Sequence, residues 1–295
     1  MTTRCEEGFD GTVTLVAARG AGPGTRRDGY AVEVARRPRR REHLRRGPAV
    51  VLFDVDGTLL STGGAGARSW RWAFEKLHGI PADIRRSSEA GMTDPVVGRA
   101  TFRATLHRDA GADELQELLA AYLERLPYEV ASSDGYRVLP GVESLLMELC
   151  RGGDLIGIVT GALETAARIK LARGRLNRFF AFGGFGSDSE DRIGLTARAI
   201  ERAAVILDSS IDPAAVFVVG DTPRDMEAAV GVGAVPVGVA SGRYRTDELR
   251  AAGARNVVSS LVEPIPALTG PQRPAAARPA ASGSSAGLPS RYPCP

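Results

Sequence analysis

Residues 49–60 read AVVLFDVDGTLL, a Val-rich apolar run that ends in two aspartates two apart, followed by Gly-Thr. A short continuous apolar run suits a strand buried on both faces, as in a parallel sheet. Apolar burial gives no reason for a carboxylate at the end of such a strand. In open parallel sheets ligands bind beyond the carboxyl ends of the strands, so Asp54 and Asp56 stand where chemistry is expected. In an extended segment the two side chains share one side, and Gly57 breaks the strand just there, letting Asp56 swing toward a substrate.

Downstream, Leu155–Val159, Val216–Val219 and Val235–Val239 repeat the pattern, and the first two are each followed by a turn and a helical stretch. That is a βαβ rhythm. Pro140–Cys150 places Val142, Leu145, Leu146 and Leu149 on one helix face and stops at Gly152; Leu163–Arg173 stops at Gly174 in the same way. Between Ser69 and Val130 there is no β-branched run, only amphipathic stretches broken at Gly79-Ile80-Pro81, Gly91 and Gly111. The expected fold class is therefore α/β, a Rossmann-like three-layer core with a parallel sheet and an inserted all-helical cap. The expected divisions are a core of residues 48–66 and 135–263, a cap of 67–134, a basic tail of 1–47 and a Pro/Ala/Ser-rich tail of 264–295, both tails disordered.

With 43% hydrophobic and 25% charged residues, the 295-residue chain is composed like a soluble globular protein. No run approaches the roughly 18 apolar residues of a membrane helix. The opening MTTRCEEGFD lacks a signal-peptide layout, so a cytoplasmic location is expected. Cys5, Cys150 and Cys294 are too scattered for a disulfide framework or a zinc knuckle, and His43, His78 and His107 suggest no metal cluster.

The net charge of +3 changes meaning when divided. Residues 1–47 hold 11 Arg against 6 acidic residues and residues 264–295 hold 3 Arg and no acid, which leaves the body, 48–263, at −5. An acidic body argues against a nucleic-acid-binding fold. The Arg36–Arg46 cluster, with seven arginines, is either a solvated tail, a polyanion contact, or a stretch upstream of a later translation start.

A second acidic strand end occurs in VFVVGDTPRDMEAA, residues 216–229, with Asp221 after the strand and Asp225 at the start of a helix. Carboxylates from two strand ends can converge on one hard cation, and Mg²⁺ favours a few carboxylates plus water and substrate phosphate. Between the acidic pairs lies IVTGALE, residues 158–164, where Thr160 and the Gly161 amide precede a helix and form a candidate phosphate site.

Together these segments resemble the haloacid dehalogenase superfamily, particularly its phosphoglycolate-phosphatase-like members with a helical cap. Asp54 to Thr58 match the family pattern DxDGT, and Gly220, Asp221 and Asp225 match GDxxxD, with the Thr-Gly strand end between them in the expected order. The resemblance covers about residues 49–262. It implies a Mg²⁺-dependent phosphatase acting on a small phosphorylated metabolite; no membrane partner is expected, and the acidic body argues against nucleic acid. Asp54 would be the nucleophile that forms an aspartyl-phosphate and Asp56 the general acid/base. Mg²⁺ would be held by Asp54, the Asp56 carbonyl and Asp221, with Asp225 in support, and Thr160 and Gly161 would hold phosphoryl oxygens.

The family places a Lys before the second acidic pair, yet this chain has only Lys76 and Lys170, and neither falls there. Arg192 occupies the place and is the expected phosphate-binding cation, with a larger, planar head. Residues 61–68 (STGGAGAR) are the expected hinge, and Thr93 and Asp94 the candidate specificity residues of the cap. A 2-haloacid dehalogenase is disfavoured because its chemistry does not need Asp56. The alternatives are a phosphomutase, which shares the aspartyl-phosphate, and a catalytically weak nucleic-acid-binding protein that uses the arginine arm.

Overall fold

The structure, a computed structural model, describes residues 14–16, 31–33 and 48–270. Residues Met1–Arg45 are a unit by themselves, in which β1 (Thr14–Val16) and β2 (Ala31–Glu33) pair antiparallel. The remainder of the N-terminal tail, the Arg36–Arg46 cluster and residues 271–295 lie outside the described residues.

The second unit is organised around β3 (Val50–Phe53), all four residues of which are buried. It pairs in parallel with β6 (Leu155–Thr160) on one side and β8 (Val216–Gly220) on the other, Val50 lying opposite both Leu155 and Val216. With β7 (Gly183–Phe185), β9 (Val235–Val239) and β10 (Asn256–Val258) they form a six-stranded parallel sheet in the order β10-β9-β8-β3-β6-β7. Because the chain steps to opposite sides of β3, the sheet has its switch point there, and the carboxyl ends of β3, β6 and β8 share one edge.

Alternation along β3 sends its side chains into two layers. Val51 and Phe53 join Leu145, Leu146 and Leu149 of α4 (Val142–Arg151) and Ala166, Ala167 and Leu171 of α5 (Glu164–Arg173). Val50 and Leu52 join Leu195, Ala199 and Ala203 of α6 (Arg192–Leu207) and Ala229 of α7 (Pro223–Gly231). The helix α8 (Thr246–Ala251) adds Leu249 against Met226 of α7. The three-layer core expected from the Val-rich runs is thus the one observed.

Three helices follow β3: α1 (Ala65–His78), α2 (Asp94–Leu106) and α3 (Ala112–Ser132). Helix α1 buries Ala65, Ser69, Trp70, Ala73 and Phe74, a stripe at helical spacing, and ends at Gly79. Trp70 stacks on Tyr122 of α3 with ring centroids 4.5 Å apart, and Phe74 meets Phe102 of α2 at 6.3 Å. These residues belong to the same buried cluster as Val51 and Phe53, so the inserted helices share the core of one sheet layer.

Three details differ from the sequence reading. The first strand is shorter than the apolar run 49–55, although Asp54 N extends the ladder by one bond to Val219 O at 2.9 Å. The segment read as a hinge, 61–68, begins with the last two residues of β4 (Leu60–Thr62), which pairs antiparallel with β5 (Tyr136–Val138), so that both chain crossings between core and cap run side by side. Residues 264–270, assigned to the tail on their proline content, include the short helix α9 (Pro266–Thr269); Ile265 and Leu268 are apolar anchors buried in the core.

Candidate active site

Asp54 follows the last residue of β3 and is 5% exposed. Its Oδ1 accepts a hydrogen bond from Arg192 Nη2 at 2.8 Å. Arg192 is the first residue of α6, also buried, and its guanidinium spans two acids: Nε donates to Asp225 Oδ1 at 2.8 Å, and Nη2 donates to the same oxygen. Nη1 donates to Gly91 O of the cap at 3.2 Å. The fork of Arg192 therefore does what one ammonium could not, joining the β3 end, the α7 N-terminus and the cap loop.

Asp225 is held from both sides, because its Oδ2 accepts from Thr222 N at 3.0 Å and Thr222 Oγ1 at 2.7 Å. Asp221 lies beyond β8 and accepts from Thr58 Oγ1 at 3.3 Å. Its carboxylate packs against the backbones of Gly57 and Gly242. A Cβ at Gly57 would come within 2.3 Å of Asp221 Oδ2 and one at Gly242 within 1.7 Å; Gly57 also has a φ of +89°. Two glycines thus let the Asp56-Gly57 turn and the 241–243 loop close over this carboxylate.

Thr160 ends β6, buried, and among the described residues its hydroxyl receives only a long bond, from Ala162 N at 3.4 Å. Gly161 O accepts from Asp94 N at 2.8 Å, and Leu163 N donates to Asp94 Oδ2 at 2.8 Å, so the cap loop is docked on the turn after β6. Thr93 Oγ1 donates to Glu190 O at 3.3 Å, while Arg99–Glu190 and Arg224–Glu89 ion pairs flank the seam. The two candidate specificity residues thus separate. Thr93 serves the seam, whereas Asp94 also lines a cavity of about 220 Å³ between core and cap, together with Asp56, Trp70, Tyr122 and Lys170.

Asp56 does not join the buried acids. Its side chain, 45% exposed, turns to Lys170 of α5, whose Nζ lies 2.5 Å from Asp56 Oδ2. Lys170 was passed over in the sequence because it matched no family position. A signal was nevertheless available: it shares the buried face of α5 with Ala166, Ala167 and Leu171, the one charged residue in that stripe.

A family model described as haloacid dehalogenase-like hydrolase matches residues 48–233. The chain belongs to this family. Among similar proteins, a phosphoglycolate phosphatase of Xylella fastidiosa is 32% identical over 68% of this chain and 83% of its own length. The tyrosine-protein kinase PtkA of Mycobacterium tuberculosis is 26% identical over 66% of this chain and 64% of its own. The crystal structure of CbbY from Rhodobacter sphaeroides in complex with phosphate superposes with a TM-score of 0.58 at 20% identity, covering 73% of this chain and 96% of that one, and shares the fold. Among the described residues of this haloacid dehalogenase-like hydrolase no helix is long and apolar enough to cross a membrane.

The donor set fits a hard divalent cation. Carboxylate oxygens of Asp54, Asp221 and Asp225, all buried, lie within 4.8 Å of one another. Only oxygen ligands are offered, as Mg²⁺ prefers. Asp225 is occupied by Arg192 and Thr222, whereas Asp54 Oδ2 and Asp221 Oδ2 receive no hydrogen bond among the described residues. Burial, then repulsion from Asp225, push Asp54 up to about 7; burial, then repulsion from Asp54, push Asp221 up to about 8. The cluster holds more negative charge than Arg192 offsets.

A pH effect follows. Both acids have folded pKa values above the ordinary 3.8, so their contribution to stability is present at low pH and is lost as pH rises through about 7 and 8. Melting in the presence of a chelator should therefore fall from pH 5 to pH 8, and saturating Mg²⁺ should raise the melting temperature more at pH 8 than at pH 5. A Mg²⁺ effect absent at both values would count against a cation at these acids.

Proposed function

We propose that the protein is a Mg²⁺-dependent phosphatase of small phosphomonoesters, and that Asp54 forms an aspartyl-phosphate. The observation that carries this reading is the placement of Asp54: an acid with one free oxygen, at a strand end, beside Asp221 and a fixed guanidinium, a short turn away from the half-exposed Asp56. The 32% identity to a phosphoglycolate phosphatase supports the choice of substrate class.

Asp54 Oδ attacks phosphorus in line as the bond to the leaving oxygen breaks, and Asp56 donates a proton to that oxygen. Asp56, now a carboxylate, then takes a proton from the water that attacks the aspartyl-phosphate, which releases inorganic phosphate and restores Asp54. Thr160 Oγ1 and the Gly161 N–H hold the transferring oxygens, and Arg192 fixes Asp54 and offsets charge. A bound Mg²⁺, held by Asp54, Asp221 and the Asp56 carbonyl, would screen the repulsion between an anionic nucleophile and an anionic ester. Asp225 keeps Arg192 in place.

The names of the relatives include a kinase as well as phosphatases, and transfer to a second hydroxyl differs from hydrolysis only in the acceptor. The test is a panel of small phosphomonoesters, phosphoglycolate and sugar and polyol phosphates, incubated with Mg²⁺. Equal amounts of free alcohol and inorganic phosphate are expected. Free alcohol with phosphate retained on another hydroxyl would replace hydrolysis by transfer, and turnover of no ester in the panel would overturn the reading.

A further inference from the structure

We propose that Lys170 is the positioning residue of Asp56, a buried post that holds the proton-carrying carboxyl group in the wall of the cap-lined cavity. The inference rests on the role of Asp56 given under the proposed function and extends it to a residue with no counterpart in the matched motifs.

An ammonium group buried on an apolar helix face is costly unless it is paired. Lys170 is such a group, its side chain 7% exposed. Its helix is secured at several points: Tyr136 Oη donates to Lys170 O at 2.8 Å, Asn177 Nδ2 donates to Arg168 O at 2.9 Å, and the cap's Asp94 accepts from Leu163 N at the N-terminal turn. Asp56, by contrast, is 45% exposed and sits in the turn after β3. Of the two partners the lysine is the fixed one, so the pair restrains Asp56 and not the reverse.

The surroundings place the pair at the reacting end of a substrate. Asp56 and Lys170 both line the cavity of about 220 Å³, opposite Trp70, Asp94 and Tyr122 of the cap. The leaving group of an ester held at Asp54 would extend into this space, past Asp56. Lys170 Nζ meets Asp56 at Oδ2 alone, which leaves Oδ1 to carry the proton of the acid/base step. The proton that moves belongs to Asp56, passing to the leaving oxygen as the phosphorus–oxygen bond breaks and returning from water.

The experiment compares an aryl phosphate, p-nitrophenyl phosphate, whose oxygen leaves without a proton, with an alkyl phosphate, whose oxygen does not. Wild type, Asp56→Asn, Lys170→Met, Lys170→Arg and the Asp56→Asn/Lys170→Met double variant are assayed with Mg²⁺, and folding is checked by melting. Lys170→Met is expected to lower kcat on the alkyl ester by on the order of 10²-fold and on the aryl ester by only a few-fold, with KM little changed. Lys170→Arg should recover part of the loss, and the double variant should match Asp56→Asn, because both changes remove one function. Should Lys170→Met fail to fold, Lys170→Gln is read in the same way.

Equal losses on both esters, or a double variant well below Asp56→Asn, would overturn the proposal. If Asp56→Asn itself shows no dependence on the leaving group while Asp54→Asn is inactive, the acid/base role of Asp56 fails, and the positioning role of Lys170 with it. An inactive wild type would instead mark failure of the phosphatase reading.

Discussion

Asp54→Asn is expected to lower phosphate release by on the order of 10⁴-fold or more, as loss of a covalent nucleophile does, and at the same time to make the metal-free protein melt at a higher temperature. The amide keeps the shape and can still present an oxygen to Arg192, but it has no charge with which to attack phosphorus. The two effects have opposite signs because the charge proposed as the nucleophile is also held against its preference. Burial, with Asp225 close by, raises the Asp54 pKa to about 7, so ionisation weakens the fold as pH rises through that value. The gain in melting temperature should be clear at pH 8 and small at pH 5. Phosphate release and thermal melts on one preparation measure both. Retained turnover would place the nucleophile elsewhere, and a lower melting temperature at pH 8 would make Asp54 chiefly an anchor for Arg192.

Arg192→Met should be among the most damaging single changes to stability, with an expected loss of about 3–5 kcal/mol in urea unfolding. The guanidinium is buried with Asp54 and Asp225, and its removal leaves two buried carboxylates uncompensated beside Asp221. It also removes the bond to Gly91 O that ties down the cap loop. Arg192→Lys retains the charge, but one ammonium cannot reproduce the bonds from Nε, Nη1 and Nη2. It should fold, release phosphate, and lie between wild type and Arg192→Met in stability. A methionine variant within about 1 kcal/mol of wild type would show that the acids are neutralised by other means.

The parts of this molecule that repeat along the chain could be read from it. Val50–Phe53, Leu155–Thr160 and Val216–Gly220 are buried on both faces, and their composition says so before any pairing is known. The acids at their ends stand out because nothing about a buried strand calls for Asp54 or Asp221. What could not be read depends on which segments meet. Leu60–Thr62 and Tyr136–Val138 are three residues each, too short to carry an alternation, and become strands because they find one another across the inserted helices. Thr93 and Asp94 are adjacent, yet one holds Glu190 O and the other the N-terminal turn of α5 and the cavity. Lys170 and Asp56 are 114 positions apart, and spacing carries no trace of their pairing.

The ribbon of β4 and β5 brings the two chain crossings that flank the inserted helices together. Thr62 lies opposite Tyr136, so everything between them leaves and re-enters the core at neighbouring points. Asp54, Asp56, Thr160, Lys170, Arg192, Asp221 and Asp225 all lie outside that interval, whereas Trp70, Asp94 and Tyr122 lie inside it. Substitutions within the inserted helices can therefore reshape the cap side of that cavity while the clustered acids, Arg192 and Lys170 stay as they are.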